Sequence, residues 1–97
     1  MVRAKFNGVV LAESEKTQIV DGNHYFPPET VNSEYFQETS THTTCPWKGL
    51  ASYYTINVNG ESLKDAAWTY PAAKDAAKAI ENYVAFYKMK GIQIEVA

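Results

Sequence analysis

The chain has 97 residues, of which 45% are hydrophobic and 13% aromatic, a size and composition that predict one globular domain over residues 1–97 and exclude two. Nine Lys and Arg residues balance eleven Asp and Glu without a run of one sign, so we predict no nucleic-acid partner. One cysteine and two histidines exclude an internal disulfide and argue against the usual zinc site, so no metal or other cofactor is predicted.

The beginning of the chain predicts a β-hairpin. Residues 2–6, VRAKF, alternate apolar and polar side chains, Asn7-Gly8 offers two left-handed positions for a type I′ turn, and residues 9–13, VVLAE, return. The N-terminal stretch lacks the apolar core of a signal peptide, and no apolar run is long enough to cross a bilayer. We therefore predict a soluble, cytoplasmic protein without a membrane partner.

A second pair of short strands follows the first. Residues 17–21, TQIVD, and residues 24–26, HYF, flank a predicted turn at Gly22-Asn23. The two prolines that come next end this extended segment, because proline cannot donate to a strand ladder. The four strands together predict a β-meander.

The middle of the chain has a less regular pattern. Pro28 can begin a single helical turn through Val31, with Glu29 near its positive end, and residues 33–36, SEYF, predict a second short turn. Residues 37–44 are polar and rich in Ser and Thr. That composition fits a strand end and a long loop equally well, so both alternatives stay open.

The second half of the chain predicts another hairpin and one short helix. Residues 50–58, LASYYTINV, alternate, Asn59-Gly60 is a second type I′ turn signal, and residues 61–70, ESLKDAAWTY, return. Pro71 then opens an alanine-rich stretch that predicts a helix between residues 72 and 80.

The end of the chain predicts two more strands. Residues 83–88, YVAFYK, are β-branched and aromatic, and residues 92–96, IQIEV, alternate strictly after Gly91. The predicted fold is therefore mainly β, a small single domain of antiparallel hairpins with one short helix.

The stretch THTTCPWKG at residues 41–49 concentrates the residue types with the most chemistry. A nearby Lys48 or His42 would activate Cys45 as a nucleophile, but a free cysteine is more often a small apolar filler. His42, like His24, acts as a general base only if the fold brings it to Cys45 or Glu29. Lys48 either presents a cation to an anionic ligand or is an exposed turn lysine.

Aromatic residues recur on the predicted strands. If their rings share a face they form the core, and if two or three line a concavity they form a stacking or cation-binding wall for a ligand. The predicted ligand-binding residues combine such aromatic positions with polar residues on proline-rich loops. They are Tyr25, Glu29, Thr44, Cys45, Trp47, Lys48, Tyr53, Trp68 and Tyr70.

Five blocks of the chain resemble, in order, those of the DUF427 family. The blocks are GNHYFPPE at 22–29, VNSEYF at 31–36, THTTCPWKGLASYY at 41–54, DAAWTYP at 65–71 and IENYVAFYK at 80–88. The resemblance implies a compact β-tent-like domain, a layout that in other families carries a four-cysteine zinc site. This chain has one cysteine, so that zinc site does not carry over.

The family bears a nucleotidyltransferase label in some classifications, but its name records no established function. The residues do not support the label, because they offer neither a close pair of carboxylates for Mg²⁺ nor a glycine-rich phosphate loop. The leading hypothesis is a domain that binds a small molecule in an aromatic-lined pocket. The alternatives are an enzyme, either a nucleotidyltransferase or a thiol-dependent catalyst, and a structural or interaction module; the predicted assembly is a monomer or homodimer.

Overall fold

Nine short β-strands form three antiparallel sheets. The computed structural model describes residues 1–97. The strands are β1 (Val2–Phe6), β2 (Val9–Ser14), β3 (Gln18–Val20), β4 (Asn23–Tyr25), β5 (Phe36–Cys45), β6 (Gly49–Val58), β7 (Glu61–Thr69), β8 (Val84–Phe86) and β9 (Gln93–Val96). Strands and isolated β-bridges hold 57% of the residues and helical segments 15%, which confirms the prediction of a mainly β fold.

The order of the strands shows how the sheets connect. A three-stranded sheet has the order β2-β1-β9, a two-stranded sheet pairs β3 with β4, and a four-stranded sheet has the order β5-β6-β7-β8. A bridge between Phe26 and Val84 joins the end of β4 to β8 through two backbone hydrogen bonds of 2.8 and 2.9 Å. The arrangement is compatible with the β-tent layout that the resemblance implies.

Three hairpin turns use a left-handed residue pair. Asn7-Gly8 has φ values of 51° and 76°, and Asn59-Gly60 has 50° and 84°, the conformation that a type I′ turn requires. These two predicted turns are confirmed. The turn between β3 and β4 is centred on Asp21-Gly22, with φ values of 53° and 77°, one residue before the predicted position, because Asn23 already pairs with Val20 in the ladder.

The helical segments are all short 3₁₀ turns. They cover Pro28–Thr30, Ser33–Tyr35, Asp75–Ile80 and Lys88–Lys90. None of these segments has the length and apolar character needed to cross a membrane.

The helix predicted between residues 72 and 80 differs in type and in its start. Lys74 is still extended, with φ −65° and ψ 159°, so the 3₁₀ segment begins at Asp75, and its geometry breaks at Ala77, where φ is −121°. Ala77 and Ile80 are both buried. Both side chains belong to the same buried cluster, so packing against the sheet fixes the course of this segment.

The polar residues 37–44, for which the sequence left a strand end and a loop open, lie within strand β5. β5 is an edge of the four-stranded sheet. Its Ser, Thr and Glu side chains are mostly exposed, as is common for an edge strand that must not pair with another chain.

Two core clusters lie on the two faces of the four-stranded sheet. Alternate residues of β6 point to opposite faces, so Ile56 belongs to the larger cluster while Ala51 and Tyr53 belong to the smaller one. The larger cluster extends to the β2-β1-β9 sheet. The smaller, aromatic cluster contains Tyr25 and Trp68 and is covered by the buried residues of the Asp75–Ile80 turn. The sheet thus has two distinct faces on which a site can form.

Candidate functional site

A cavity of about 610 Å³ lies on the face of the four-stranded sheet that carries the larger core cluster. Its volume is within the range of small-molecule sites. Apolar, aromatic and uncharged polar side chains make up most of its lining. The lining residues are Pro28, Val31, Ser33, Phe36, Glu38, Thr39, His42, Ser52, Tyr53, Tyr54, Thr69, Pro71, Asn82 and Val84.

Strand register builds the floor of this cavity as two rows. His42, Ser52, Thr69 and Val84 are paired in succession across β5, β6, β7 and β8. Neighbouring strands are about 4.8 Å apart, so the first three residues present polar groups at regular intervals across the sheet. In the next row, Tyr54 pairs with Glu38 on one side and with a small alanine of β7 on the other.

Bulges in β5 and β7, the two strands beside β6, determine which residues form these rows. Three residues of β5, 39–41, lie opposite Tyr53 alone, and three residues of β7, 64–66, lie opposite Thr55 alone. Each bulge adds two residues to the strand beside β6, and bulges commonly redirect side chains beside functional sites. As a result Glu38, residue 39 and His42 all border the cavity, which a regular strand with period two would not allow.

A carboxylate joins the two bulges. Asp65, on β7, accepts hydrogen bonds of 2.8 Å from the hydroxyls of both Thr39 and Thr41 on β5. Burial by itself raises the pKa of Asp65, but these two hydrogen bonds and the charges of Lys64 and Lys90 lower it, and the net shift is downward. Asp65 therefore stays ionised and holds β5 and β7 together across β6.

The hydroxyl of Thr69, in the floor of the cavity, is buried without a hydrogen-bond partner. Thr69 is 5% exposed, and its Oγ1 is the only buried side-chain oxygen or nitrogen that has no hydrogen-bond partner. A buried hydroxyl without a partner destabilises a protein by about 1–3 kcal/mol. Thr69 itself lines the cavity, and a rotation of its side chain would bring this buried hydroxyl to a ligand.

His42 and Ser52 lie side by side but do not form a nucleophile and base. Nδ1 of His42 is 3.2 Å from the carbonyl oxygen of Ala51 and 3.4 Å from Oγ of Ser52. The Ala51 carbonyl only accepts, so its contact with His42 uses the tautomer with the proton on Nδ1, and in that tautomer Nδ1 cannot take a proton from Ser52. Nε2 is then the acceptor of the ring, and the pair offers a ligand hydrogen bonds rather than an activated serine.

The cavity lining carries little charge. Glu38 is its one carboxylate, and no Lys or Arg borders it. The pKa of the facing Tyr54 is raised, first by burial and then by the negative charge of Glu38. Phosphate groups are usually held by Arg or Lys side chains or by helix N-termini, and this lining provides neither of those cations.

Most of the aromatic residues that the sequence predicted for a ligand site lie on the other face. Tyr25, Trp68 and Tyr70 are buried in the aromatic cluster, where Trp68 Nε1 donates to the Tyr25 hydroxyl at 3.1 Å. Tyr53 borders the cavity from β6, but its ring stacks against Tyr87 in the aromatic cluster at a centroid distance of 6.4 Å. These rings face one another and not an open cleft.

Lys48 is engaged within the protein. It is 7% exposed, its Nζ lies 2.8 Å from Oδ2 of Asp21, and the rings of Trp47 and Tyr70 are each 5.4 Å away. Burial by itself lowers the pKa of Lys48, but the hydrogen bond to Asp21 and the nearby phenols of Tyr25 and Tyr70 outweigh it, and the net shift is upward. Lys48 attaches its turn to the hairpin of β3 and β4.

The remaining predicted site residues do not converge. Cys45 is half-buried and packs against the aromatic cluster, whereas His42, three residues earlier on the same strand, borders the cavity. Glu29 is exposed on the Pro28–Thr30 turn, and Thr44 is exposed on β5. Of the nine residues predicted to bind a ligand, only Tyr53 borders the cavity. No group of three or more His, Cys, Asp or Glu residues is placed to hold a metal ion.

Several cavity residues were not among the sequence predictions. They include Phe36, Glu38, Ser52, Tyr54, Thr69 and Asn82. The alternation of residues 50–58 signals that Ser52 and Tyr54 share a face. Their partners on β5 and β7 depend on the two bulges, for which the sequence carries no comparable signal.

Comparison with protein families gives one match. A family model described as a domain of unknown function, DUF427, with the short name NTP_transf_9, matches residues 1–96. A search of curated proteins finds no match to the chain.

Proposed function

The chain belongs to the DUF427 family, and we propose that residues 1–97 form one domain that binds a small polar molecule in the cavity above Ser52 and Thr69. The single observation that carries this proposal is Thr69, a residue that borders the cavity and whose hydroxyl is buried without a partner. Buried polar groups in folded proteins nearly always have a partner. A bound molecule supplies the missing one.

The rest of the lining supports binding of a molecule with both polar and apolar parts. Ser52, His42 and Asn82 provide donors and acceptors, while Phe36 and Val84 contribute apolar surface. Such a mixture is typical of small-molecule sites, in which a few polar groups set the orientation of the ligand. Phe36, Tyr53 and Tyr54 contribute aromatic surface to the wall, and of these only Tyr53 is among the residues that the sequence predicted to bind a ligand.

Nucleotidyl transfer is less well supported. It requires Mg²⁺ held by carboxylates and cations that neutralise the phosphates, whereas the cavity has Glu38 as its only carboxylate and no Lys or Arg. A thiol-dependent reaction is likewise disfavoured, because Cys45 and His42 belong to different faces of the sheet. The cytoplasmic location and the monomeric or homodimeric state stay predictions.

The proposal is tested by screening fragments against the original protein and against the variant Thr69→Val. Binding is followed through the amide chemical shifts of the cavity residues. Valine keeps the shape of threonine and removes the unpartnered hydroxyl, so the free energy of unfolding of the free protein should rise by about 1 kcal/mol. Any fragment that shifts the cavity resonances of the original protein should bind the variant about fivefold more weakly, since one hydrogen bond is lost.

Thr43→Val is the matched control. Thr43 lies on the edge strand β5, and its hydroxyl bonds to the Tyr53 hydroxyl at 2.8 Å, on the aromatic side of the sheet. This variant should lose stability and keep the fragment affinity. A screen without any hit in the cavity, or hits that bind Thr69→Val with undiminished affinity, contradicts the proposed function.

A further inference from the structure

The charge around the cavity identifies the class of its ligand. Resting on the binding function proposed above, we propose that the ligand carries an ammonium group, which lies between the carboxylate of Glu38 and the ring of Tyr54, and a hydrogen-bonding group that reaches Thr69. The ligand class is therefore a ring-sized hydroxylated or carbonyl-bearing amine.

Glu38 is a carboxylate without a partner in the protein. The four ion pairs of the structure join Arg3 to Glu13, Lys5 to Glu95, Lys48 to Asp21 and Lys78 to Glu81. Glu38 is in none of them, and it accepts no side-chain hydrogen bond. It borders the cavity, which no Lys or Arg approaches closely enough to line. An ammonium group entering there meets one negative charge and no competing cation.

Tyr54 provides the second contact for a cation. It is the register partner of Glu38 across β5 and β6, and both residues line the cavity. Its ring is held in place by Phe36 in an edge-to-face contact with a centroid distance of 5.6 Å. A carboxylate beside a fixed aromatic ring attracts an organic cation both by charge and by the quadrupole of the ring.

Thr69 supplies an independent indication of a ligand and its length. It lies two strands from Glu38, on β7 and β5 respectively, and one row away on the floor. Two strand spacings correspond to about 10 Å between the backbones, and the two side chains reduce the gap to be bridged. A molecule with one ring between its ammonium and its hydroxyl or carbonyl has a suitable length.

The proposal is tested with three probes that share one ring and hydroxyl and differ in charge: tyramine, para-hydroxyphenylacetamide and para-hydroxyphenylacetate. Each is titrated into the protein while the amide shifts of the cavity residues are followed. Tyramine should bind about threefold or more tightly than the neutral amide, in line with one exposed ion pair and one cation–π contact. The acetate should bind most weakly.

Glu38→Gln is the decisive variant, and Glu34→Gln is its control. Glu34 is an exposed carboxylate of the Ser33–Tyr35 turn that does not line the cavity. The preference for tyramine should disappear in Glu38→Gln and persist in Glu34→Gln. Because Glu38 is exposed, the glutamine variant should fold, and this is checked from its dispersed amide spectrum.

The outcomes separate this inference from the function on which it rests. If all three probes bind equally and all weaken in Thr69→Val, the binding function stands and the ammonium class is wrong. The class is also wrong if the tyramine preference survives Glu38→Gln, or if only neutral or anionic fragments bind in the cavity. If neither the probes nor the fragment screen shift the cavity resonances, both proposals fail.

Discussion

Two buried polar groups, Lys48 and Thr69, are accommodated in opposite ways. The ammonium of Lys48 has a carboxylate and two aromatic faces around it, so its charge is compensated within the protein. The hydroxyl of Thr69 has no partner at all. The more conspicuous residue in the sequence is thus structural, and an ordinary threonine at the end of a strand is the better candidate for contact with a ligand.

Gly49 also has a structural reason to be glycine. Its φ of 116° is one that side-chain-bearing residues rarely adopt, and a Cβ at this position would lie 3.3 Å from the carbonyl oxygen of Ala72. The close approach belongs to the contact in which Lys74 donates its backbone N–H to Lys48 at 3.0 Å. The positive φ and the close backbone approach together explain the glycine at this position.

We expect Gly49→Ala to lower the free energy of unfolding by about 1–3 kcal/mol, because it combines an unfavourable φ with a contact against the backbone. Gly8→Ala is the control: its φ is 76° and a Cβ there meets nothing within 4 Å, so only the conformational penalty of about 1 kcal/mol applies. Urea unfolding measures the loss of stability in both variants. Equal losses would show that the contact with Ala72 adds nothing.

At the scale of the elements, the central feature is the pair of bulges on either side of β6. The bulges shift the registers of β5 and β7 against β6, and Asp65 fixes the relative position of the two bulges through Thr39 and Thr41. Asp65 has a φ of 52°, a conformation that Asp and Asn tolerate better than most residues. Loss of this carboxylate should therefore loosen the edge strand that carries Glu38 and His42.

We expect Asp65→Asn to lower the free energy of unfolding by about 1 kcal/mol at neutral pH, with little change in the backbone because asparagine tolerates the same φ. Folding lowers the pKa of Asp65 below 3.8. Its carboxylate therefore stabilises the fold above that value, and this contribution is lost as the pH falls through the folded pKa. The difference between the two proteins should shrink below about pH 4.

Urea unfolding at several pH values measures this effect, with Asp75→Asn as the control. Asp75 is exposed at the start of a 3₁₀ turn, and the same chemical change there should alter the stability by less than about 0.5 kcal/mol. A difference between Asp65→Asn and the original protein that does not depend on pH would mean that the ionised carboxylate is not the stabilising group.

At the scale of the whole molecule, the four-stranded sheet separates two environments. The aromatic cluster on one face is filled by its own rings, including the contact between Trp68 and Tyr87 at 4.5 Å. The cavity lies on the other face, between the sheet and the segments around Pro28, Ser33 and Pro71. The predicted aromatic binding residues and the cavity can therefore be tested independently.

We expect Trp68→Phe to lower the free energy of unfolding by about 1–3 kcal/mol, because it removes the hydrogen bond to the buried Tyr25 hydroxyl and reduces packing. The affinity of the cavity for tyramine should stay the same. Urea unfolding and the amide-shift titration measure the two quantities on the same sample. A loss of affinity in the folded variant would instead favour the aromatic site predicted from the sequence.

Local chemistry allowed much of the fold to be predicted from the sequence. The pairs Asn7-Gly8 and Asn59-Gly60 predict their hairpins because few other residues adopt two left-handed positions in succession. The alternating strands were recognised for a similar reason, as the period of two is a property of each strand alone. The helical stretch after Pro71 was less well predicted, because alanine content does not distinguish an α-helix from a 3₁₀ turn whose length is set by packing.

The sequence by itself thus determined the mainly β class, two of the hairpin turns and the family, all of which depend on neighbours in the chain. Only the tertiary structure decided which polar residues meet. Asp21 neutralises Lys48 although the two residues are 27 positions apart in the chain. Thr69 pairs with Ser52, and Ser52 with His42, in registers that two bulges shift. The physical reason is that alternation fixes the face of a residue within its own strand, whereas the pairing between strands fixes its neighbours across the sheet.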